Sequence, residues 1–267
     1  TRVAYNSGWQ KWNSWCGVEG MDPFSAPVES VIEFLTSLFQ KGYAYSTINS
    51  HRSAISARHK GYEGQLIGQH LSVKQAMSGV FNERPPQTGY TSTWGVDAVL
   101  TFWRSQSENT ELDDKSLSWK LTMLLALTSA GRASDLHLLN MRHMVDLGEE
   151  IQFHQTGLSK TRRKSNPKVI KMTFRGFEED NKLCVLSCLR TYINRSRSWR
   201  ISEEQQTLLL SYVNPHNPVA PSTLSGWLVK GLEMAGINTK EFKGHSTRSA
   251  STSKAAALGF SASEILS

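Results

Sequence analysis

The chain has 267 residues, 39% of them hydrophobic and 20% charged, with a net charge of +7. That length accommodates one large domain or two medium ones, and that composition excludes a disordered or low-complexity protein. No signal peptide is present and no apolar run is long enough to span a membrane, while 3 cysteines make no disulfide framework and suit a reducing compartment.

Residues 1–16 set Tyr5, Trp9, Trp12 and Cys16 at spacings of four, three and four, one apolar face of a helix. Pro27 opens a second helix with Val28, Val31, Ile32, Leu35, Leu38 and Phe39 inward, and Gly42 ends it. Ser46 is placed to cap a third helix running to Lys60. That helix has few apolar marks (Ile48, Ile55) and carries His51, Arg52, Arg58, His59 and Lys60. Two readings stand for it: a surface laid against nucleic-acid backbone, or a solvated face. A fourth helix is expected from Leu71 to Phe81, and Pro85-Pro86 then marks a linker. The expected division is a helical domain at 1–88 and a second domain at 89–267.

The second domain is expected to open with a helix over Thr93–Gln106. A strongly apolar helix follows at Leu117–Leu127, suited to a core. Gly131 should break it, and Ser134 or Asp135 should start another, leaving Arg132 at the bend. From His143 to Phe174 the apolar period falls to two: Ile151 and Phe153, then Ile170, Met172 and Phe174. A small antiparallel sheet is predicted, its connecting loop carrying Lys160, Arg162, Arg163 and Lys164. That loop also reads as a nuclear-localisation tract. Between Arg142 and Arg200, 13 Lys and Arg face 6 Asp and Glu, so this stretch alone accounts for the chain's positive excess. An anionic partner or a basic solvated face would each explain it. Helices are expected around Cys184–Arg197, with Cys184 and Cys188 a core pair, and after Ser222, ended by Gly236. Gly244-His245-Ser246-Thr247-Arg248 opens one more, and Ser261-Ala262-Ser263-Glu264 reads as a capping box.

On a helix His245 and Arg248 point the same way and can reach one small target. Arginine offers a planar fork of donors suited to phosphate, and histidine can donate a hydrogen bond or move a proton near neutral pH. A pair at this spacing is also what a solvated helix face presents. The wider candidate set is Arg132, Lys160, His245 and Arg248, without acids at metal-ligand spacing, so charge on a phosphate would be met by fixed cations.

In this order the residues resemble the tyrosine recombinases, the family of phage-type integrases. The matching stretches are Thr128-Ser129-Ala130-Gly131-Arg132-Ala133-Ser134-Asp135, then Ser159-Lys160-Thr161-Arg162, then Gly244-His245-Ser246-Thr247-Arg248. The wording around Gly89-Tyr90-Thr91 and His245–Ser249 is most similar to the DIRS-type retrotransposon recombinases of eukaryotes, which would place the protein in the nucleus; with any other origin the expected compartment is the cytoplasm. Thr247 departs from the family's usual apolar residue and Ser249 from a common second basic one.

The resemblance implies a mainly α protein with a small antiparallel β-sheet: a helical core-binding domain ahead of a mixed α+β catalytic domain. It implies that Arg132 and Arg248 clamp the scissile phosphate, His245 assists, Lys160 is the general acid and Asp135 braces the site. DNA contacts are expected from His51, Arg52, Arg58, Lys60, Arg162, Arg163 and Lys164. The implied partner is double-stranded DNA, bound by a dimer or tetramer of the chain, with no cofactor, metal or membrane. The nucleophilic tyrosine is expected beyond residue 267, because Tyr192 and Tyr212 precede the His-x-x-Arg element. A DNA-binding relative of the same fold without catalysis is the alternative.

Overall fold

The computed structural model describes residues 2–86, 93–155 and 170–260, without the side chains at 2–4, 170, 203 and 204. The chain divides into two compact units, Thr1–Gly89 and Tyr90–Ser267.

The first unit is helical: α1 (Arg2–Val18), α2 (Val28–Gln40), α3 (Tyr45–Ser56) and α4 (Leu71–Glu83). The face spaced along α1 is buried at Trp9, Trp12 and Cys16 against Val31, Phe34 and Leu35 of α2. The Trp12 indole N–H donates to the Pro23 carbonyl at 2.9 Å, which satisfies its one polar atom inside the core. Gly42, at φ +84°, ends the α2 segment in the left-handed conformation that glycine tolerates.

Helix α3 departs from expectation in three respects, the first being that it ends at Ser56 and does not reach Lys60. Its N-cap is Ala44, so Ser46 lies inside the helix. More consequentially, His51 is not a surface cation. It is 6% exposed, its Nδ1 is 3.4 Å from the Gly8 carbonyl, and its ring meets those of Phe34 and Tyr43 edge-on. Burial pushes its pKa down, favouring the neutral imidazole. The contact requires Gly8, where a Cβ would sit 2.9 Å from Ala54 Cβ, so α1 and α3 approach at glycine spacing. His59 is likewise buried, with Nε2 2.9 Å from the Ala26 carbonyl.

The second unit runs α5 (Val96–Ser105), α6 (Asp114–Ser129), α7 (Ala133–His137), β1 (Met144–Asp146), β2 (Glu150–Gln155), β3 (Ile170–Arg175), α8 (Val185–Arg195), α9 (Pro221–Met234) and α10 (Ser246–Ala257). The protein is thus mainly α with a small antiparallel sheet of order β1-β2-β3 among the described residues. Alternation along β2 buries Ile151, Phe153 and Gln155, and Ile151 pairs with Phe174 while Phe153 pairs with Met172. Strand β1, which the sequence pattern did not single out, pairs Met144 with Phe153.

Helix α6 is the spine. Leu117, Leu121, Met123, Leu124, Leu125 and Ala126 are buried on it, and α8, α9, α10 and β3 pack around it. Its capping is regular: Asp113 accepts the Ser116 N–H at the N-terminus. Cys184 and Cys188 are free, buried thiols in the same core, and Cys184 Sγ accepts N–H bonds from Phe177 and Ser187.

One residue of α6 opposes stability. Lys120 is 0% exposed and its Nζ has no hydrogen-bond partner among the described residues. Burial holds its pKa below the usual 10.5, although Cys188 and Glu108 pull the other way. Between the lowered value and 10.5 the unfolded chain binds more protons than the folded one, so stability rises with pH across that window. Lys120→Met keeps the volume and removes the buried donor. It should stabilise the protein at pH 7 by ~1–3 kcal/mol in urea unfolding, with the advantage shrinking toward pH 10.

Candidate phosphate-binding site

The site begins where α6 ends. Helix α6 leaves through Ala130, held in the left-handed conformation at φ 46°. Gly131, expected to supply that turn, serves differently: a Cβ there would lie 2.7 Å from Ser129 Oγ and 3.1 Å from Met172 Cε, so its lack of a side chain lets β3 close on the bend. A left-handed alanine costs about 1–2 kcal/mol, which the surrounding core must offset.

Arg132 follows as the N-cap of α7. Its backbone N–H donates to Asp135 Oδ2 at 3.0 Å, and its Nη1 is 3.8 Å from the same oxygen. One carboxylate therefore caps the helix and orients the guanidinium, whose side chain remains 37% exposed. The Asp135 carbonyl accepts from Gln155 Nε2 at 2.8 Å, which ties the end of β2 to the Arg132 turn.

Helix α10 closes on this bend from the other side. Arg248 Nη1 donates to the Ala130 carbonyl at 3.0 Å, and Ser251 Oγ donates to the Leu127 carbonyl. Leu127 lies in the last turn of α6 and Ala130 is its C-cap, where carbonyls have no partner within their own helix. Arg248 is thereby fixed two residues from Arg132. His245, at the N-cap of α10, is exposed while Gly244, Ser246 and Thr247 around it are buried. A Cβ on Gly244 would meet the Ser225 carbonyl at 2.7 Å, so only glycine lets this turn sit against α9. Arg132, His245 and Arg248 thus come to one end of the second unit. Among the described residues no three His, Cys, Asp or Glu side chains are grouped to hold a metal ion.

Lys160, Arg162, Arg163 and Lys164 lie outside the described residues. Of the cations expected on α3 and just after it, Arg52 is half-buried and Lys60 is exposed. Arg58 bonds Asn6 Oδ1 at 3.2 Å with its guanidinium 5.3 Å from the Trp9 ring centre. His51 is a core residue and is withdrawn from the set of DNA contacts. Sequence reasoning missed Gln155 and Ser251. Gln155 had a signal, since it continues the inward alternation of Ile151 and Phe153. Ser251 had one too, since it stands one turn past Arg248 on the same face. Tyr192 is unsuited as a nucleophile: it is buried, its hydroxyl accepts the Leu210 N–H at 2.9 Å, and burial pushes its pKa up to about 12.

This architecture is the fold of the tyrosine-recombinase catalytic region. Among solved structures the chain is similar to the XerH site-specific recombinase bound to difH substrate in a pre-cleavage complex, with a TM-score of 0.59 and 9% identity over 90% of this chain and 62% of that one. It is similar to the XerH post-cleavage complex on palindromic difH, with a TM-score of 0.58 and 11% identity over 87% and 60% of the two chains. A third is the Tn1549 transposon integrase in complex with transposon right end DNA, with a TM-score of 0.58 and 14% identity over 90% and 76%. The chain spans about three fifths of the length of the XerH chains, and at these identities the likeness is one of fold. No protein-family model and no curated protein matches the sequence.

Asp135 can be tested without DNA. Asp135→Ala removes the α7 cap and should cost about 0.5–2 kcal/mol in urea unfolding, while Asp135→Asn, which keeps an acceptor oxygen, should recover most of that.

Proposed function

We propose that this chain is the DNA-binding and strand-cleaving part of a site-specific DNA recombinase that acts by metal-independent phosphoryl transfer. The observation that carries the reading is the Arg248–Ala130 bond, which locks the arginine of α10 onto the turn that presents Arg132. Two guanidinium groups fixed by backbone and carboxylate can hold the non-bridging oxygens of one phosphodiester and stabilise the charge that builds there. His245, exposed beside them, donates a hydrogen bond to the same phosphate.

In the proposed step a tyrosine hydroxyl, supplied by sequence following residue 267, gives up its proton to water as its oxygen attacks phosphorus. The new bond joins tyrosine oxygen to the 3′-phosphate and the P–O5′ bond breaks. Lys160 passes its proton to the departing 5′ oxygen. The phosphotyrosyl link conserves the bond energy, so rejoining needs neither metal nor external energy. Duplex DNA is the proposed substrate, bound by a dimer or tetramer of the chain, with Arg52, Arg58, Lys60, Arg162, Arg163 and Lys164 on its backbone.

The decisive experiment selects bound duplexes from a randomised pool, then presents them nicked to the full-length polypeptide. A covalent adduct that survives denaturing electrophoresis is expected. Arg132→Ala should reduce it by about 10²–10³-fold or more, the scale of losing one preorganised transition-state donor. Binding without any adduct would overturn the catalytic reading and leave a DNA-binding protein of the same fold.

Binding itself should be steeply salt-dependent. With roughly 6–10 phosphate contacts, affinity should fall about 10³–10⁵-fold between 50 and 200 mM salt by fluorescence anisotropy, and a flat response would overturn the DNA reading.

A further inference from the structure

We infer that Trp94 is a positioning residue for the proposed phosphate pocket, strapping the start of the second unit to the helix that carries His245 and Arg248. The inference rests on the phosphate-pocket reading above. Trp94 is 4% exposed and follows closely on the division between the units at Gly89 and Tyr90. Its indole N–H donates to Ser246 Oγ at 3.0 Å, and Ser246 Oγ donates in turn to the Lys243 carbonyl at 2.6 Å. The serine hydroxyl is used in both directions, so its rotamer is set, and with it the turn from Lys243 to Ser246 that presents His245.

A second tie joins the same two segments. Lys254 Nζ, on the last turn of α10, pairs with Asp97 Oδ2 at 2.7 Å, and Asp97 lies in the first turn of α5. The stretch from Trp94 to Asp97 therefore holds α10 near both ends, while Ala250, between the ties, is buried with Trp94 and Val96 in one core. The Lys254 pair is exposed and weak by comparison. The buried indole bond carries the positioning, because losing it frees the turn on which His245 sits.

The test uses the 267-residue chain and orthovanadate, a tetrahedral oxyanion, as the pocket probe, with the His245 imidazole followed by NMR. Trp94→Phe keeps the ring and removes the donor, and Ser246→Ala removes the acceptor. Each should weaken vanadate binding about 10-fold, since small displacements of positioned groups cost that much or more, while affinity for a generic duplex stays within about twofold. The double variant should be no worse than Ser246→Ala alone, because that single variant already loses the indole bond together with the serine's own bond to the Lys243 carbonyl. Unchanged vanadate affinity in both singles, or equal loss of vanadate and duplex affinity, would overturn the inference. If the wild-type chain binds no vanadate, the phosphate-pocket reading fails and hydrogen exchange decides the strap. Faster exchange confined to α10 in Trp94→Phe would then sustain it, and unaltered exchange would overturn it.

Discussion

The last turn of α6 is the constraint on which the second unit depends. A helix ends with carbonyls that its own backbone cannot satisfy, and burying that end without partners would cost about 1–3 kcal/mol for each group left over. Here α10 supplies the partners: Ser251 for Leu127 and Arg248 for Ala130. The same end carries the negative pole of the α6 dipole, which favours a cation there. Arg248 is therefore both a C-terminal cap and a candidate phosphate ligand. Because α6 is the most buried helix of the unit, its end is a rigid reference for whatever is fixed to it.

Two arginines brought to one bend repel unless each has a local reason to stay. Arg132 has the Asp135 carboxylate and Arg248 has a backbone carbonyl. Among the described residues neither has a tight ion pair of its own: the Arg132–Asp135 separation is 3.8 Å and the Arg248 acceptor is uncharged. That division leaves net positive charge on a preorganised pair, the electrostatic condition for holding a diester. Asp135 links this to the sheet: its side chain orients Arg132 while its carbonyl accepts from Gln155.

Much of the fold is legible in the sequence because its signals are local and strong. The face of Trp9, Trp12 and Cys16, the apolar run at Leu117–Leu125, and the alternation of Ile151 and Phe153 each reach the core as their spacing requires. What escaped is where two alternatives look identical in sequence. A histidine on a polar helix reads the same whether solvated or buried, and only the glycine-spaced approach of α1 at Gly8 puts His51 inside. Strand β1 spans only Met144–Asp146, too short for alternation to show, and it exists by pairing with β2. At the α6 terminus Gly131 invited the turn, yet Ala130 takes the left-handed conformation, and Gly131 instead sits close against Ser129 and Met172. In the candidate site the residue types and their order along the chain are legible, but their support is not. The partners of Arg248 and Arg132 are a backbone carbonyl and a helix cap, and backbone partners leave no trace in side-chain pattern.

The charge of the chain can now be placed more finely than composition allows. Within the basic stretch from Arg142 to Arg200, Arg175 pairs with Glu150, Arg190 with Asp146, Arg195 with Asp114 and Lys182 with Glu108. Arg200 is spent on the carbonyls of Gln205, Thr207 and Leu208, a purely structural role. These ties lower the free positive charge that the described part of the stretch can show to a partner. The unbalanced excess falls instead on residues 156–169, where Lys160, Arg162, Arg163, Lys164 and Lys168 occur without an acid among them. Those residues join β2 to β3, and β2 ends at Gln155, which is bonded to the Asp135 turn. The segment of highest cation density thus follows in sequence on a residue that is bonded to the Asp135 turn. In the proposed reading, the basic segment and the Arg132 turn both adjoin Gln155, the one by chain connectivity and the other through the bond to the Asp135 carbonyl.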